Sequence, residues 1–341
     1  MAIRSEIEKN KNFMMYKIFV TRSIPDAGIK LLHANKNVSV EIYELDRQIP
    51  RKELLKRVKG KDIILSILTE KIDKQVMDAA GPQLKMIANY AVGFDNIDLK
   101  EAAKRGIIVT NTPHERVNES VAEHTIALLF ALTHRIVETD AFTRAGKYHA
   151  WGPKLLLGTD LVGKTMGIIG TGRIGSSVVK RLYDGFGMKI LYTDMKRNME
   201  LEAMSHAKFR TLDKLLAESD FISLHVPLLK STHHLISTKQ LKLMKPTAFI
   251  INTSRGPVID EHALIHALKN KIIAGVGLDV YEGEPLIAMN PRDIKDLRNM
   301  KNVVLTPHTA SATNEARQAM SETAGKNILA FIKGKTPPNA I

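Results

Sequence analysis

The sequence predicts an α/β protein with two doubly wound domains, each built on a parallel sheet with helices on both faces. Short β-branched runs alternate with amphipathic helical patterns throughout the 341 residues, as parallel sheets require. This length is too great for one ordinary core and suits two domains. A glycine-rich turn, Gly170–Gly175, lies in mid-chain. One domain is therefore expected to be inserted into the other.

The first segment alternates strands with helices. Its predicted strands are Tyr16–Val20, Val38–Tyr43, Asp62–Leu68, Leu84–Asn89 and Ile107–Thr110. The helical patterns between them are Asp26–Leu32, Arg51–Val58, Lys74–Ala80 and Leu99–Lys104. Glycines follow several of these helices, as expected at helix ends.

The second segment begins after a connecting helix, which the helical spacing of apolar residues predicts over Asn118–Arg144. A loop rich in glycine and proline follows and contains Trp151. The predicted strands are Gly167–Ile169, Met188–Tyr192, Phe221–Val226, Ala248–Asn252, Ala274–Leu278 and Val303–Leu305. A final helix is expected over Thr313–Lys333.

Composition limits the function classes. The sequence has no cysteine, which excludes disulfides, thiolate metal sites and a cysteine nucleophile and favours a reducing cytoplasm. No apolar run approaches the ~20 residues of a membrane span. Residues 1–15 are expected to form a polar extension and not a secretory signal.

The net charge of +14 raises the question of nucleic-acid binding. The basic residues are dispersed on predicted outer helix faces, such as Arg51–Arg57, and they form no dense run interleaved with aromatic residues. Solvated helix faces are the favoured interpretation, followed by a field that attracts small anions. No nucleic-acid partner is predicted.

The glycine turn follows an apolar strand and opens a helical pattern. Gly170 would make the tight turn, Gly172 would let the backbone approach a pyrophosphate, and Gly175 would let helix and strand pack closely. Asp194 follows nineteen residues later (194 − 175). The combination predicts a dinucleotide site, with the phosphates at the helix N-terminus and the ribose hydroxyls on Asp194.

Asp194 also bears on the choice of cofactor. Its carboxylate would repel the 2′-phosphate of NADP and accept hydrogen bonds from the ribose of NAD, so NADH is favoured. Lys196 and Arg197 come directly afterwards and could weaken that discrimination, so NADPH stays possible.

Three polar side chains follow successive strands of the second segment, namely Arg255, Glu284 and His308. Arg255 could hold a carboxylate bidentately, and His308 could donate a proton to a carbonyl oxygen as a hydride arrives. Glu284 would favour the charged imidazole. Each residue alone has an ordinary structural explanation, but their shared position at a cofactor-binding sheet edge favours catalysis. No metal site is predicted, because His225, His233 and His234 lack a helical HxxxH pairing.

The sequence resembles the D-2-hydroxyacid dehydrogenase family from about residue 16 to residue 338. The resemblance rests on Val92–Asp98, Gly170–Gly175, His225–Pro227, Asn252–Pro257, Gly277–Tyr281, Glu284-Pro285 and Thr306–His308. It implies a Rossmann NAD-binding domain at 114–311, inserted into a flavodoxin-like substrate domain made of 16–113 plus 312–341. It also places the family's catalytic Arg, Glu and His on Arg255, Glu284 and His308.

The resemblance implies further contacts. Leu68, Val92, Gly93, Arg255 and His308 would bind the substrate. The cofactor would be contacted by Gly170, Gly172, Arg173, Ile174, Gly175, Asp194, Val226, Pro227, Thr232, Thr253, Ser254, Arg255, Asp279 and His308. Subunits would pair as a homodimer through the loop around 140–160. Trp151 would either fill a contact within that dimer or, as in the glyoxylate/hydroxypyruvate reductases, reach the active site of the partner subunit. His124 is expected to be a packed or partly exposed side chain and not a ligand.

Within the family, Ser66–Asp73 and Trp151–Pro153 look most like the glyoxylate/hydroxypyruvate reductases, although Phe94 and Leu156 depart from them. The expected activity is NADH-dependent reduction of a small 2-keto acid to a D-2-hydroxy acid. D-lactate and phosphoglycerate dehydrogenases are the enzyme alternatives. A corepressor-like protein that senses NAD is the alternative from another class.

Overall fold

The computed structural model describes residues 15–284 and 291–341, which divide into two compact units. Unit 1 combines the chain up to Val117 with Thr313–Ile341, and unit 2 is Asn118–Ala312. The functional division expected from the sequence, at 113/114 and 311/312, stays a prediction. The expected polar extension lies outside the described residues except for Met15.

Unit 1 contains a parallel sheet in the order β2-β1-β3-β4-β5. The strands are β1 (Tyr16–Val20), β2 (Val38–Ile42), β3 (Ile63–Ile67), β4 (Met86–Tyr90) and β5 (Ile108–Thr110). Its helices in the first chain segment are α1 (Asp26–His33), α2 (Arg51–Arg57), α3 (Lys74–Ala80) and α4 (Leu99–Lys104). This is the predicted flavodoxin-like strand order. The bounds of β1 match the prediction, and those of the other four strands differ from it by one or two residues at one or both ends.

The last helix, α13 (Asn314–Ile332), also belongs to unit 1. It packs against α1 so closely that a Cβ on Gly28 would lie 1.9 Å from the carbonyl oxygen of Ser321. The Gly28 amide donates a hydrogen bond to the Ser321 hydroxyl at 2.9 Å, and the Tyr90 hydroxyl of β4 donates to the Arg317 carbonyl at 2.9 Å. The first and last parts of the chain therefore share one core.

Unit 2 contains a parallel sheet in the order β12-β11-β10-β9-β6-β7-β8. The strands are β6 (Thr165–Ile169), β7 (Lys189–Thr193), β8 (Lys208–Phe209), β9 (Phe221–Leu224), β10 (Phe249–Asn252), β11 (Gly275–Leu278) and β12 (Val303–Leu305). The order reverses between β6 and β9, which is the Rossmann arrangement. The predicted fold class is thus confirmed, but β8 was not predicted because two residues carry no periodic signal.

Helices cover this second sheet. They are α5 (Glu115–Thr133), α6 (Ile136–Arg144), α7 (Arg173–Phe186), α8 (Met199–Ser205), α9 (Leu212–Glu218), α10 (Thr238–Leu243), α11 (Glu261–Lys269) and α12 (Pro291–Asn299). The division between the two units falls in the first turn of α5. Across the described residues, none of the helices has both the length and the apolar character that crossing a bilayer would need.

The single helix predicted over Asn118–Arg144 is wrong. The structure has two helices, separated at Arg135, whose backbone is left-handed with a φ of 54°. The Thr133 carbonyl accepts a hydrogen bond from the Thr159 amide at 2.8 Å, whereas a continuous helix would give that carbonyl to Val137. A contact with a distant loop therefore ends α5, and the local apolar pattern contains no sign of it.

Candidate active site

The glycine turn after β6 gives each glycine a different task. Gly170 has a φ of +93°, and a Cβ there would lie 2.7 Å from the carbonyl oxygen of His225. A Cβ on Gly175 would lie 2.1 Å from the Gly170 carbonyl oxygen, so this position brings α7 against the turn. At Gly172 an added Cβ would meet nothing within 4 Å, and this side of the turn is open to a ligand.

The open side of the turn is at Gly172, the residue directly before α7. Gly172 precedes the helix without a side-chain cap, so the amides of Arg173 and Ile174 belong to a first turn that offers N–H groups and the positive end of the helix dipole to an anion. The turn also lies where the strand order reverses, the usual ligand position in such sheets. The residues present therefore fit a pyrophosphate.

Asp194 directly follows β7 and is tied to the glycine turn. Its Oδ2 accepts hydrogen bonds from the Thr171 amide at 2.7 Å and the Thr171 hydroxyl at 2.9 Å, and its Oδ1 accepts from the Met195 amide at 2.7 Å. Nearby, Arg197 forms a bidentate pair with Glu202 at 2.5 and 3.0 Å. A carboxylate is thus fixed beside the phosphate turn, while the adjacent guanidinium is held by its own partner.

The segment after β9 carries Val226, Pro227 and Thr232. The Thr232 hydroxyl donates to the Pro227 carbonyl at 2.6 Å and accepts from the Leu229 amide at 2.8 Å, which closes this loop on itself. His225 keeps some accessible surface, but burial lowers the pKa of its imidazole to about 4. The ring is therefore neutral at pH 7, and Ser223 Oγ lies 2.8 Å from its Nε2.

The segment after β10 is organised by Asn252. Its Oδ1 accepts from the amide and hydroxyl of Ser254 at 3.0 and 2.8 Å, and its Nδ2 donates to the Arg255 carbonyl at 2.9 Å. The Thr253 hydroxyl lies 2.9 Å from that of Thr125 on α5. Arg255 Nη1 donates to the Ser254 carbonyl at 2.8 Å. The polar loop is thus fixed by its own strand end.

Glu284 and His308 form a direct pair after β11 and β12. His308 Nδ1 lies 2.7 Å from Glu284 Oε2, and Glu284 Oε1 accepts from the Tyr281 amide at 2.9 Å. His308 has a left-handed backbone with a φ of 55°, and its amide donates to the Asp279 carbonyl at 2.8 Å. The carboxylate occupies Nδ1, so Nε2 is the ring nitrogen left for exchanging a proton with a substrate.

Asp279 is fully buried at the end of β11. Its Oδ1 accepts from the Thr306 hydroxyl at 2.6 Å and the Thr309 amide at 2.8 Å, and its Oδ2 accepts from the Ala310 amide at 2.8 Å. Burial alone would raise the pKa of this carboxyl, but hydrogen bonds from His124, Thr306 and the two amides outweigh it and lower the pKa. Asp279 is therefore an anion that joins the ends of β11 and β12.

His124 takes part in this network, and sequence reasoning missed its role. Its Nε2 lies 3.0 Å from the Thr306 hydroxyl and 3.5 Å from Asp279 Oδ1. The ring is partly exposed, as expected. The partners are far away in the sequence, so the helical position of His124 could not reveal them.

The predicted substrate residues of unit 1 lie at the carboxyl ends of β3 and β4. Leu68 directly follows β3, and Val92 and Gly93 lie in the turn after β4. That turn is held by two asparagines: Asn111 Nδ2 donates to the Val92 carbonyl at 2.7 Å, and Asn89 Nδ2 donates to the Gly93 carbonyl at 3.0 Å. Hydrogen bonds from the rest of the unit thus fix the carbonyls of this turn.

Trp151 lies in unit 2, in the loop after α6, and 80 % of its surface is exposed. Other large apolar side chains of this region are also exposed, namely Ile136, Val137, Tyr148, Leu155 and Leu157. Exposed apolar groups that are concentrated in one stretch commonly mark an interaction surface.

The predicted site residues of unit 2 therefore collect at one edge of its sheet. Arg255, Glu284 and His308 follow the adjacent strands β10, β11 and β12, and the last two are in contact. Pro285, part of the Glu-Pro motif, lies outside the described residues. A cation, a carboxylate and an imidazole that follow successive strands of one sheet can bind an acid and transfer a proton.

Comparison with known proteins finds a family match that lies within unit 2 and a relative that matches nearly the whole chain. The family described as "D-isomer specific 2-hydroxyacid dehydrogenase, NAD binding domain" matches residues 126–310. The glyoxylate reductase of Thermococcus litoralis is 49% identical over 332 residues, which cover 96% of this chain and 97% of that protein.

Solved structures are similar over most of the chain. A protein from Thermus thermophilus has a TM-score of 0.87 at 40% identity, with 95% of this chain and 99% of that one covered. The D-lactate dehydrogenase of Aquifex aeolicus, solved with NAD and lactic acid, has a TM-score of 0.84 at 33% identity and covers 95% and 98%.

Proposed function

Since the chain belongs to the D-isomer specific 2-hydroxyacid dehydrogenases, NAD-binding oxidoreductases that act on CH–OH groups, we propose that it is an NADH-dependent reductase of glyoxylate or hydroxypyruvate. The observation that carries this proposal is the 2.7 Å contact between His308 and Glu284. These residues follow β12 and β11, the next two strands of the sheet beyond β10, which precedes Arg255. The 49% identical glyoxylate reductase supports the choice of substrate.

Each of the three residues has a separate role. The Arg255 guanidinium binds the carboxylate of the 2-keto acid through two parallel hydrogen bonds. Glu284 holds His308 through Nδ1, and His308 Nε2 donates a proton to the carbonyl oxygen. NADH, when bound, supplies the hydride that the carbonyl carbon receives. The product is the 2-hydroxy acid, and His308 regains its proton from solvent.

We assign substrate binding in unit 1 to Leu68, Val92 and Gly93. The asparagines that hold the 92–93 turn fix its backbone in advance, which lowers the entropy cost of binding. In functional terms, 16–113 plus 312–341 is the proposed substrate domain, and 114–311 the proposed NAD domain.

The preference for NADH is proposed to rest on Asp194. Its carboxylate would repel a 2′-phosphate, and Arg197, which could attract one, is held by Glu202. An Asp194→Ala variant should bring the kcat/KM values for NADH and NADPH closer together. Asp184→Ala, at an exposed position on α7, is the matched control. An unchanged ratio in Asp194→Ala would assign the preference to another residue.

The activity is tested by steady-state oxidation of NADH with glyoxylate, hydroxypyruvate, pyruvate and phenylpyruvate. His308→Gln should lower kcat by about two to four orders of magnitude and leave NADH affinity, measured by fluorescence titration, unchanged. His33→Gln, at an exposed site on α1, is the control. Near-normal turnover in His308→Gln would remove His308 as the proton donor.

The same panel separates the alternatives. Fastest turnover of pyruvate would favour a D-lactate dehydrogenase, in line with the similar Aquifex aeolicus structure. Phosphoglycerate oxidation is added to the panel to test for a phosphoglycerate dehydrogenase. A binding protein that senses NAD would show affinity for NADH with negligible rates on every acid.

We further propose a homodimer that pairs through the exposed apolar residues of 136–157, with Trp151 entering the partner subunit's site. Light scattering should give a dimeric mass for the wild type, and Trp151→Ala should raise KM for the acid. A monomeric mass would contradict the proposal. The absence of cysteine supports a cytoplasmic location.

A further inference from the structure

We propose that His233, His234 and Glu282 form a binding site for one Zn²⁺ ion in unit 2. The sequence predicts no metal site here, because the two histidines are adjacent and lack a helical partner. The structure adds a carboxylate from 48 residues further along the chain. The three potential donor atoms all lie within 4.8 Å of one another.

The contact between the ligands is direct. His234 Nε2 lies 2.6 Å from Glu282 Oε1. The rings of His233 and His234 stack with centroids 4.0 Å apart and an interplanar angle of 26°. His234 has a left-handed backbone with a φ of 52°, an uncommon conformation for a residue other than glycine. Both imidazoles therefore belong to one cluster with the carboxylate.

The surrounding backbone holds the cluster in place. The His233 amide donates to the Leu229 carbonyl at 2.9 Å, and the His234 amide donates to the Pro257 carbonyl at 2.8 Å. Glu282 Oε2 accepts from the Glu261 amide at 3.3 Å, and this orients the carboxylate from behind, as groups next to metal ligands commonly do. The backbone of both histidines and the Glu282 carboxylate are thus held in place before an ion binds.

Two imidazoles and a carboxylate suit Zn²⁺ in both ligand type and number. With metal–ligand distances near 2.1 Å, tetrahedral donor atoms lie about 3.4 Å apart, so His234 and Glu282 need to separate by less than about 1 Å. The side chains of His234 and Glu282 are 34% and 31% exposed, and His233 is exposed. An ion can therefore enter from solvent, and water can complete its coordination.

A bound ion would join two loops. One loop is 229–234, which contains Thr232, and the other contains Glu282 and leads to Glu284. The site is separate from the proposed catalytic groups because none of its three ligands is Arg255, Glu284 or His308. Zinc binding is measured without substrate or NADH, so its outcome is independent of the proposed reductase activity.

The test uses the full-length chain without a histidine tag and adds Zn²⁺ alone. Equilibrium dialysis with metal analysis should give one ion per chain. His233→Ala and Glu282→Gln should each lower the affinity about tenfold or more, while His149→Ala, a matched exposed histidine, should leave it unchanged. Because His233 is exposed, its replacement is expected to leave thermal unfolding of the metal-free chain unaltered.

Cobalt provides a second readout. Co²⁺ should give the visible absorption of a low-coordinate site in the wild type and in His149→Ala, and that absorption should be lost in His233→Ala. Failure to bind one Zn²⁺ per chain, or equal affinity in the wild type and His233→Ala, would overturn the proposal.

Discussion

Replacing Asp279 with asparagine tests whether this buried anion holds the ends of β11 and β12 together. The substitution keeps the size of the side chain and removes one acceptor oxygen. With the amide nitrogen at the Oδ2 position, the Ala310 amide loses its acceptor, and at the Oδ1 position the Thr309 amide loses it. The first orientation leaves a buried N–H group without this acceptor, and the second leaves a partly buried one without it.

The cost follows from these contacts. An unsatisfied buried N–H costs about 1–3 kcal/mol, and each hydrogen bond that changes from a charged to a neutral acceptor loses about 1 kcal/mol. Removing the buried charge recovers part of its desolvation cost. We therefore expect Asp279→Asn to lower the free energy of unfolding of unit 2 by about 2–4 kcal/mol. For a unit of this size, the melting temperature should fall by about 5–15 °C.

Calorimetry at pH 7 measures the effect, and Asp184→Asn, at an exposed position on α7, is the control. The lowered pKa of Asp279 also predicts how its effect on stability depends on pH. The contribution of the Asp279 carboxylate to the free energy of unfolding is complete above its unfolded-state pKa of about 3.9. It is lost as the pH falls through the pKa of the folded state. The difference between wild type and variant should shrink below about pH 4. A fall of less than about 2 °C at pH 7 would refute the reasoning.

Three further outcomes are expected. Gly175→Ala places a Cβ 2.1 Å from the Gly170 carbonyl oxygen, so it should destabilise unit 2 by about 1–3 kcal/mol and weaken NADH binding. An unchanged dissociation constant for NADH, measured by titration, would contradict this. Burial lowers the pKa of His225 to about 4, so the imidazole resists protonation in the folded state. Its contribution to the free energy of unfolding should be complete above about pH 6.5 and fall by up to about 3 kcal/mol toward pH 4. Denaturant unfolding of His225→Asn should lack this dependence on pH. Lys271 is exposed and has a φ of 54°, so replacing it with glycine should raise the free energy of unfolding by about 0.5–1 kcal/mol. An unchanged or lower melting temperature would exclude backbone strain at this position.

The elements predicted correctly are those whose signal is local. Strands such as β1 and β12 are short apolar runs, and their observed bounds match the predicted ones. The steric roles of Gly170 and Gly175 also follow from residue type, since only glycine fits at these two positions without a clash. Sequence order then placed Arg255, Glu284 and His308 after adjacent strands, because parallel strands bring their carboxyl ends to one edge.

The features that sequence reasoning missed depend on residues far apart in the chain. The end of α5 depends on a hydrogen bond from Thr159 to Thr133. His124 on α5 contacts Asp279 at the end of β11. Glu282 contacts His234 although 48 residues separate them in the sequence. No local period encodes such pairs, so one sequence could not predict them.

The packing of α13 against α1 has a consequence for synthesis on the ribosome. Gly28 is covered by Ser321, yet all of unit 2 is translated between them. At ordinary elongation rates this interval is on the order of ten seconds or more, so the nascent Rossmann unit can finish folding while the earlier-translated sheet still lacks its last helix. A stop codon just before Thr313 would make that exposed state permanent, and the truncated chain should aggregate.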